Sequence, residues 1–427
     1  MHSDTKHLRL CLVLPILLAA LALPADAQSV APEDAGMSSE RLGRINEMVE
    51  RYIQAGDISG AVTLVARNGR IVHLEAQGVM DVASNRPMET DTIFRIASMS
   101  KPVAGVAIMM LVEEGKVRLN DPVSRFIPEW AEQRVAVSEG NAGGGRGAGG
   151  RGAGGRGAAP QFYTVPAERQ ITVFDLMTHT SGLMSGSMSN SQGNAPSGRR
   201  HELGLRWVEG LGQTPLEFQP GSRWAYSALA GFDVLSRIVE IASGQSFDQF
   251  LEQRIFEPLG MEDTFFWPDA QQRGRLVTSY TRGDEGLEVR NNPDSMSGER
   301  YFSGAGGLMT TAAEYARFGM MLANGGELDG KRLLGARSME MMRAVHISDT
   351  LPGRPAGEGY GLSVRVVSDP VARRTMLSEG SFGWSGAYGT HFWSDPEENL
   401  VGILMIQTPI NAMRADFETA VMQALID

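Results

Sequence analysis

The chain has 427 residues, 42% of them hydrophobic, which is enough to build one large domain or two interleaved domains around a sizeable core. It carries 39 basic and 50 acidic side chains, a net charge of -11 at neutral pH. Because an acidic protein repels an anionic polymer, this balance argues against nucleic acid as the main partner. Length and charge thus exclude a short binding module and disfavour a nucleic-acid-binding protein.

Residues 1–27 have the order of a secretory signal peptide. A weakly basic start precedes an apolar run from Leu10 to Leu23, and a small-x-small cleavage site ends at Ala27. We therefore expect an exported protein, periplasmic or secreted, without a membrane span, since no later segment approaches about 20 consecutive apolar residues. Cys11 is the only cysteine and lies in this leader, so the mature chain has no disulfide and no thiolate metal ligand.

The first elements after the leader are a helix and a hairpin. Apolar residues recur at helical spacing from Leu42 to Ile53 and predict an amphipathic helix. Two apolar-rich runs, Ala61 to Ala66 and Arg70 to Ala76, flank Asn68-Gly69, the dipeptide that best tolerates the positive φ angles of a tight turn. This pattern predicts a β-hairpin.

The C-terminal end repeats the sheet signal. Gly389 to Trp393 and Leu400 to Gln407 are predicted strands joined around Asp395-Pro396, and a closing helix is predicted from about Arg414 to Ile426. Helical patterns dominate the middle of the chain. We therefore expect an antiparallel sheet made from both termini, with a mostly helical region inserted between them.

A Gly/Ala/Arg tract at residues 141–160 has no apolar side chains large enough to anchor it, so we expect a disordered surface loop. Arginine-glycine repeats can bind RNA, but this tract has few arginines and no interleaved aromatic residues. A tolerated loop insertion is the favoured interpretation.

The sharpest chemical feature is Ser98-Met99-Ser100-Lys101, which precedes an apolar helical stretch. In a helix that begins near Ser98, the hydroxyl of Ser98 and the amine of Lys101 share a face, which Ser100 does not. A lysine whose neutral form is favoured can take the proton of a serine hydroxyl and make it a nucleophile. The free N–H groups of a helix start can also stabilise an oxyanion. Alone, Ser-x-x-Lys occurs by chance on many surface helices.

Two further segments accompany this motif. Tyr226 lies just before a predicted helix from Leu229 to Ala242, where its phenol could relay a proton, although such a tyrosine is often an ordinary core residue. The segment from Gly383 to Gly389 contains Trp384 and several small residues that would let its backbone approach a ligand closely. Its structural alternative is a glycine-rich turn beside a buried tryptophan.

Together these motifs resemble the serine β-lactamase and penicillin-binding superfamily, and most closely its family VIII carboxylesterases. The likeness extends over nearly the whole mature chain, through Thr178 to Leu183, Phe256 to Met261, Gly306 to Leu308 and Asp395-Pro396. It implies an α/β (α+β) fold of β-lactamase/transpeptidase type. Residues 28–110 and 290–427 would form an antiparallel sheet flanked by helices, and residues 111–289 an inserted, mostly helical domain, with the active site between them.

The resemblance also implies roles for individual residues. Ser98 would be acylated, Lys101 would deprotonate it, and Tyr226 would share the proton and protonate the leaving group. The oxyanion would lie between the backbone N–H groups of Ser98 and Ala387, the latter on the edge strand after Trp384-Ser385-Gly386, with Trp384, Gly386 and Ala387 binding substrate. His179 would be structural, and no metal or organic cofactor would be required.

Two departures from the superfamily pattern point to uncharged esters. Trp384 replaces the lysine of Lys-Thr-Gly, and Ala228 replaces the asparagine that contacts a β-lactam side chain. A neutral indole cannot pair with a carboxylate but can wall an apolar pocket. We therefore expect a serine carboxylesterase that acts on small, short-acyl esters; the sequence does not indicate an oligomeric state.

Four alternatives stay open at this point. Acyl transfer to an alcohol would be revealed by ester formation in excess alcohol, and β-lactamase or D-alanyl peptidase activity by turnover of a chromogenic cephalosporin. A non-enzymatic binding protein of this fold would leave Ser98 unreactive towards a phosphonate. A Ser-His-Asp hydrolase would require Gly-x-Ser-x-Gly, which the sequence lacks.

Overall fold

A computed structural model of the chain describes residues 30–138, 162–183, 205–291 and 301–426. The expected signal peptide, Cys11 and the tract at residues 141–160 lie outside these residues. Within the described ranges, no helix is both long enough and apolar enough to pass through a membrane.

Within the ranges that the structure describes, the strands form one eight-stranded sheet and four two-stranded sheets. In chain order the strands are β1 (Gly60–Arg67), β2 (Arg70–Asp81), β3 (Arg86–Pro87), β4 (Phe94–Arg95), β5 (Arg134–Ser138), β6 (Phe162–Pro166), β7 (Ser279–Gly283), β8 (Gly286–Asn291), β9 (Met309–Thr310), β10 (Glu327–Leu328), β11 (Lys331–Arg332), β12 (Glu358–Tyr360), β13 (Arg365–Val367), β14 (Phe382–Ser385), β15 (His391–Asp395) and β16 (Leu400–Met405). The large sheet is antiparallel, with the strand order β12-β13-β14-β15-β16-β1-β2-β3.

Helices connect and cover these strands. They are α1 (Ser39–Gln54), α2 (Ser100–Glu113), α3 (Val173–Met177), α4 (Leu205–Leu211), α5 (Ala230–Ser243), α6 (Phe247–Leu251), α7 (Glu257–Leu259), α8 (Ala270–Arg275), α9 (Ala312–Ala323), α10 (Ala336–Arg343), α11 (Pro370–Arg373) and α12 (Asn411–Met422). A π-helical turn, Glu252–Phe256, joins α6 to α7, and a 3₁₀ turn, Ala97–Met99, precedes α2.

The sheet is buried between two layers of helices because both faces of its central strand are apolar. On β1, Val62 and Leu64 join one hydrophobic core, and Ala61 and Val65 join the other. Helices α1 and α12 cover the second face, while α9 and, behind it, α2 cover the first. Since β1 pairs with β16, the sheet combines strands from the N-terminal and the C-terminal parts of the chain. The predicted fold class is confirmed.

The predicted hairpin is present as β1 and β2. Asn68 and Gly69 adopt φ angles of 52° and 74°, the left-handed conformation that a tight hairpin turn requires. The predicted first helix corresponds to α1, whose N-cap Ser38 accepts a hydrogen bond from the Arg41 N–H. The predicted closing helix corresponds to α12, which begins three residues earlier than expected.

One expectation about the sheet is wrong. The strand that carries Trp384 is not an edge strand, because β13 and β12 extend the sheet beyond β14. Ala387 is not on a strand either, since β14 ends at Ser385 and the chain turns at Gly386. However, β13 pairs only with Phe382 and Gly383, so the outer side of Trp384 and Ser385 remains open towards the neighbouring cavity.

The register of β15 against β16 generates a stability prediction. Gly402 lies opposite the fully buried Trp393, and a Cβ at position 402 would lie 2.2 Å from an indole atom. Gly402→Ala should therefore lower the free energy of unfolding by about 1–3 kcal/mol, the usual cost of overpacking. Gly43→Ala is the control with opposite sign: position 43 on α1 has open space, and alanine should raise that free energy by about 0.5–1 kcal/mol. Urea titrations measure both, and a Gly402→Ala variant as stable as the wild type would contradict the packing argument.

Candidate active site

Ser98 lies in the 3₁₀ turn that leads into α2, two residues before the α-helix itself begins. The turn is held tightly: the Met99 carbonyl accepts from the Tyr315 hydroxyl at 2.7 Å. The Ser100 hydroxyl donates to the Ala97 carbonyl at 2.8 Å and accepts from the Leu308 N–H at 3.1 Å. Ser100 is thus engaged in the scaffold, whereas Ser98 lines the cavity.

This turn contains local backbone strain. Ala97 adopts a φ angle of 44°, a left-handed conformation that costs a non-glycine residue about 1–2 kcal/mol. Such strain persists only where surrounding contacts compensate for it, and it often accompanies functional positions. Here the contacts that hold the turn fix the direction of the Ser98 side chain.

Lys101 is fully buried in the first turn of α2. Its Nζ atom lies 3.1 Å from the Ser98 Oγ, 2.8 Å from the Ala228 carbonyl oxygen and 2.7 Å from the Ala305 carbonyl oxygen. An ammonium group can donate to all three acceptors. A neutral amine can donate to the two carbonyls and direct its lone pair at the serine hydroxyl, which is the geometry of a base.

Tyr226 comes from the segment just before α5 and meets the same serine. Its hydroxyl lies 2.7 Å from the Ser98 Oγ, and the Lys101 Nζ is 5.1 Å from the centre of its ring. Burial raises the pKa of Tyr226, but the positive charge of Lys101 and hydrogen bonding with Lys101 and Ser98 bring that pKa below the usual value for tyrosine. The structure therefore brings Ser98, Lys101 and Tyr226 together.

Two backbone donors belong to residues that line the cavity, Ser98 and Ala387. Neither the Ser98 N–H nor the Ala387 N–H has an acceptor among the residues that the structure describes. The turn that carries Ala387 is docked on the Ser98 turn: Thr390 Oγ1 donates to the Ile96 carbonyl, and a Cβ at Gly386 would lie 2.4 Å from that carbonyl oxygen. Glycine at position 386 thus permits the close approach of the two turns.

The cavity around these groups has two adjoining parts, of about 580 Å³ and 400 Å³, and both contain Ser98, Tyr226 and Ala387. Trp384 walls the second part, with its ring 5.5 Å from that of Tyr226 and 5.4 Å from that of Tyr360. At the position where the resembling β-lactamases carry a lysine, the wall is therefore aromatic and uncharged.

His179 packs against Tyr226 in the protein interior and lines neither part of the cavity. It is fully buried, its Nδ1 accepts the Ser227 N–H at 3.2 Å, and its ring lies 4.8 Å from that of Tyr226. Burial, together with the charges of Lys101 and Arg354, holds the pKa of His179 well below its usual value. A neutral histidine here supports the segment that carries Tyr226.

The sequence did not predict a buried chain of hydrogen bonds that starts at Ser385 on β14. The Ser385 hydroxyl lies 2.8 Å from the His391 Nδ1, and the His391 Nε2 lies 3.1 Å from Glu418 on α12. Burial lowers the pKa of His391 to about 4. Burial alone would raise the pKa of Glu418, but its hydrogen bond with His391 and the nearby positive charges outweigh burial and lower that pKa to about 2. The Glu418 carboxylate therefore accepts a hydrogen bond from the Nε2–H of neutral His391. The His391 Nδ1 then accepts a hydrogen bond from the Ser385 hydroxyl. No sequence motif joins these residues, which come from two strands and a helix.

Two arginines also line the second part of the cavity and were not predicted. Arg365 lies 3.7 Å from both Glu358 and Glu418, and Arg414 donates to the Gly386 carbonyl at 2.8 Å. Each guanidinium thus has a protein partner.

The chain is similar to known proteins over most of its length. The chain matches the Beta-lactamase family over residues 45–425. Protein Rv1367c of Mycobacterium tuberculosis is 36% identical over 377 residues, covering 84% of this chain and 88% of the relative. Esterase EstB of Burkholderia gladioli is 28% identical over 408 residues, covering 90% of this chain and 94% of the relative.

A likeness to solved structures supports the fold. Simvastatin Synthase (LovD) from Aspergillus terreus superposes with a TM-score of 0.74 at 19% identity, covering 90% of this chain and 98% of that chain. The sequence match spans nearly all of the described sheet and helices, including the segments that hold Ser98, Tyr226 and Ala387. The chain belongs to the Beta-lactamase family.

Proposed function

We propose that this chain hydrolyses small, uncharged carboxylic esters through an acyl-enzyme formed on Ser98. Its family makes it a β-lactamase-like serine hydrolase, with esterases and carboxypeptidases among its relatives. The observation that carries the proposal is the position of the Ser98 Oγ, 3.1 Å from a buried amine and 2.7 Å from a phenol. A serine hydroxyl needs such neighbours to become a nucleophile at neutral pH.

The proposed reaction has two halves. The Ser98 Oγ attacks the ester carbonyl carbon while its proton passes to Lys101 or Tyr226, which act as a coupled pair. The N–H groups of Ser98 and Ala387 stabilise the oxyanion. When the carbon–oxygen bond to the alcohol breaks, Tyr226 returns the proton to the departing oxygen. Water then attacks the acyl-enzyme in the same way, and the carboxylic acid and free Ser98 are regenerated.

The preference for uncharged esters is supported by three features of the cavity. Trp384 offers no positive charge to a carboxylate. The Ser385 hydroxyl proton is directed at His391, so this side chain presents only lone pairs to a ligand. Arg365 and Arg414 are bound to protein acceptors, and Glu358 lines the same space.

Lys101→Ala should lower kcat/KM for p-nitrophenyl butyrate by about 10²- to 10⁴-fold, the range that a general base contributes. Ser98→Ala should abolish acylation altogether. Lys116→Ala, which removes an exposed lysine just after α2, is the matched control and should leave turnover unchanged. Steady-state kinetics measure all three, and near-normal turnover in Lys101→Ala would refute the assigned role.

The pH profile should show the state of the Lys101–Tyr226 pair. The active form has one proton fewer than the fully protonated pair, so kcat/KM should rise with pH through one step below pH 10, because the pKa of Tyr226 is lowered. Tyr226→Phe should shift the midpoint of this step and lose part of the rate, because Lys101 then titrates without its partner. If Tyr226→Phe kept the same midpoint, Tyr226 would not take part in that titration.

Trp384→Lys tests the preference for neutral substrates. We expect it to raise kcat/KM for p-nitrophenyl hemisuccinate relative to the butyrate by about tenfold, because a charge-assisted contact contributes roughly 1.5 kcal/mol or more. Trp384→Phe keeps an aromatic, uncharged wall and should preserve the wild-type ratio. An unchanged ratio in Trp384→Lys would count against the role assigned to the indole.

A further inference from the structure

Arg414 makes a contact that ties the C-terminal helix to the active site. It lies on α12, in the wall of the second part of the cavity, and its Nη2 donates to the Gly386 carbonyl oxygen at 2.8 Å. The same oxygen accepts from the Gly389 N–H at 3.1 Å, which closes the turn after β14. Both acceptor positions of this carbonyl are therefore occupied, and its orientation is fixed.

The Gly386 carbonyl and the Ala387 N–H belong to one peptide group. In a planar trans peptide the two bonds point in opposite directions, so fixing the carbonyl on Arg414 fixes the direction of the N–H on the other side. That N–H has no acceptor within the described ranges, and Ala387 lines the cavity beside Ser98. The guanidinium thus lies directly behind one of the two free donors of the site.

We propose that Arg414 is a positioning residue, which acts through the Gly386–Ala387 peptide to aim and strengthen the Ala387 N–H as an oxyanion donor. The inference rests on the proposed function, since it assigns that N–H to the oxyanion. A cation hydrogen-bonded to the carbonyl draws electron density from the amide and makes its N–H a stronger donor. A donor fixed in advance also avoids reorganisation when the charge develops.

The charge of Arg414 persists at neutral pH. Burial and the nearby Arg365 lower its pKa to about 10, while Glu418, one turn further along α12, opposes this shift. The competing interpretation is that Arg414 binds an anionic group of the substrate, because it lines the cavity together with Asn411. The two roles differ in which kinetic constant they affect.

The test compares Arg414→Met with the wild type on p-nitrophenyl butyrate. Acylation and deacylation both pass through an oxyanion, so both should slow: we expect kcat to fall about 10- to 100-fold with KM nearly unchanged. A butyl boronic acid, whose tetrahedral adduct on serine occupies the oxyanion position, should bind more weakly by a similar factor. Arg414→Lys keeps a cationic donor and should recover part of the loss.

Arg41→Met is the matched control, since it removes an exposed arginine that also donates to a backbone carbonyl, that of Gln423, away from the cavity. It should leave kcat and boronate affinity unchanged. Thermal melts of each variant check folding, and Arg414→Lys keeps the inference testable if Arg414→Met does not fold.

Two results would overturn the inference while leaving the proposed function intact. One is wild-type kcat and boronate affinity in Arg414→Met. The other is a rise in KM for the hemisuccinate with unchanged kcat on the butyrate, which would mark an anion-binding role. By contrast, wild-type protein that turns over no ester would remove the proposed function, and the inference with it.

Discussion

The site depends on how a buried lysine is held. Lys101 has no exposed surface, and a buried amine or ammonium group is costly unless its hydrogen bonds are satisfied. The carbonyls of Ala228 and Ala305 satisfy it, and they come from two segments far apart in sequence. The same two contacts therefore hold the segment of Tyr226 and the loop before β9 against the start of α2, which directly follows the turn of Ser98.

The surroundings of this contact limit the chemistry. Behind Tyr226, a neutral His179 and several aromatic rings exclude water from one side of the phenol. In front of it, the turn after β14 places Ala387 beside Ser98, and the indole of Trp384 on β14 walls the same space. On this side of the cavity, Arg365 contacts Glu358 and Glu418, and Arg414 donates to the Gly386 carbonyl. The Ser98 hydroxyl thus lies between its two hydrogen-bonding partners and an aromatic wall.

The sequence predicted those parts whose signals are local or repeated. Asn68-Gly69 favours a hairpin by its backbone preferences, and the apolar face of α1, from Leu42 to Ile53, spans about three turns. The Ser-x-x-Lys spacing places two side chains on one helical face, and the resemblance supplied Tyr226, whose contact with Ser98 spans 128 residues. The assigned roles stay predictions, although the three side chains meet.

The rest had no local signal. Strands β12 and β13 have three residues each, too few for an alternating pattern to be recognised. Because they lie beyond β14 in the sheet, the strand that carries Trp384 is an internal strand. The acceptors of Lys101 are backbone carbonyls, which any residue type provides. How α12 packs on the sheet determines both the Ser385–His391–Glu418 hydrogen bonds and the Arg414 contact. No residue spacing in the sequence encodes this packing.

The most direct test of the central claim is to locate the covalent adduct. The protein would be incubated with a p-nitrophenyl alkylphosphonate, digested, and mapped by tandem mass spectrometry, which distinguishes Ser98 from Ser100 in the same peptide. The assignment of Ser98 as the nucleophile predicts one phosphonyl group, on Ser98, and none in Ser98→Ala. An adduct on another residue, or an unmodified protein that still hydrolyses esters, would contradict it.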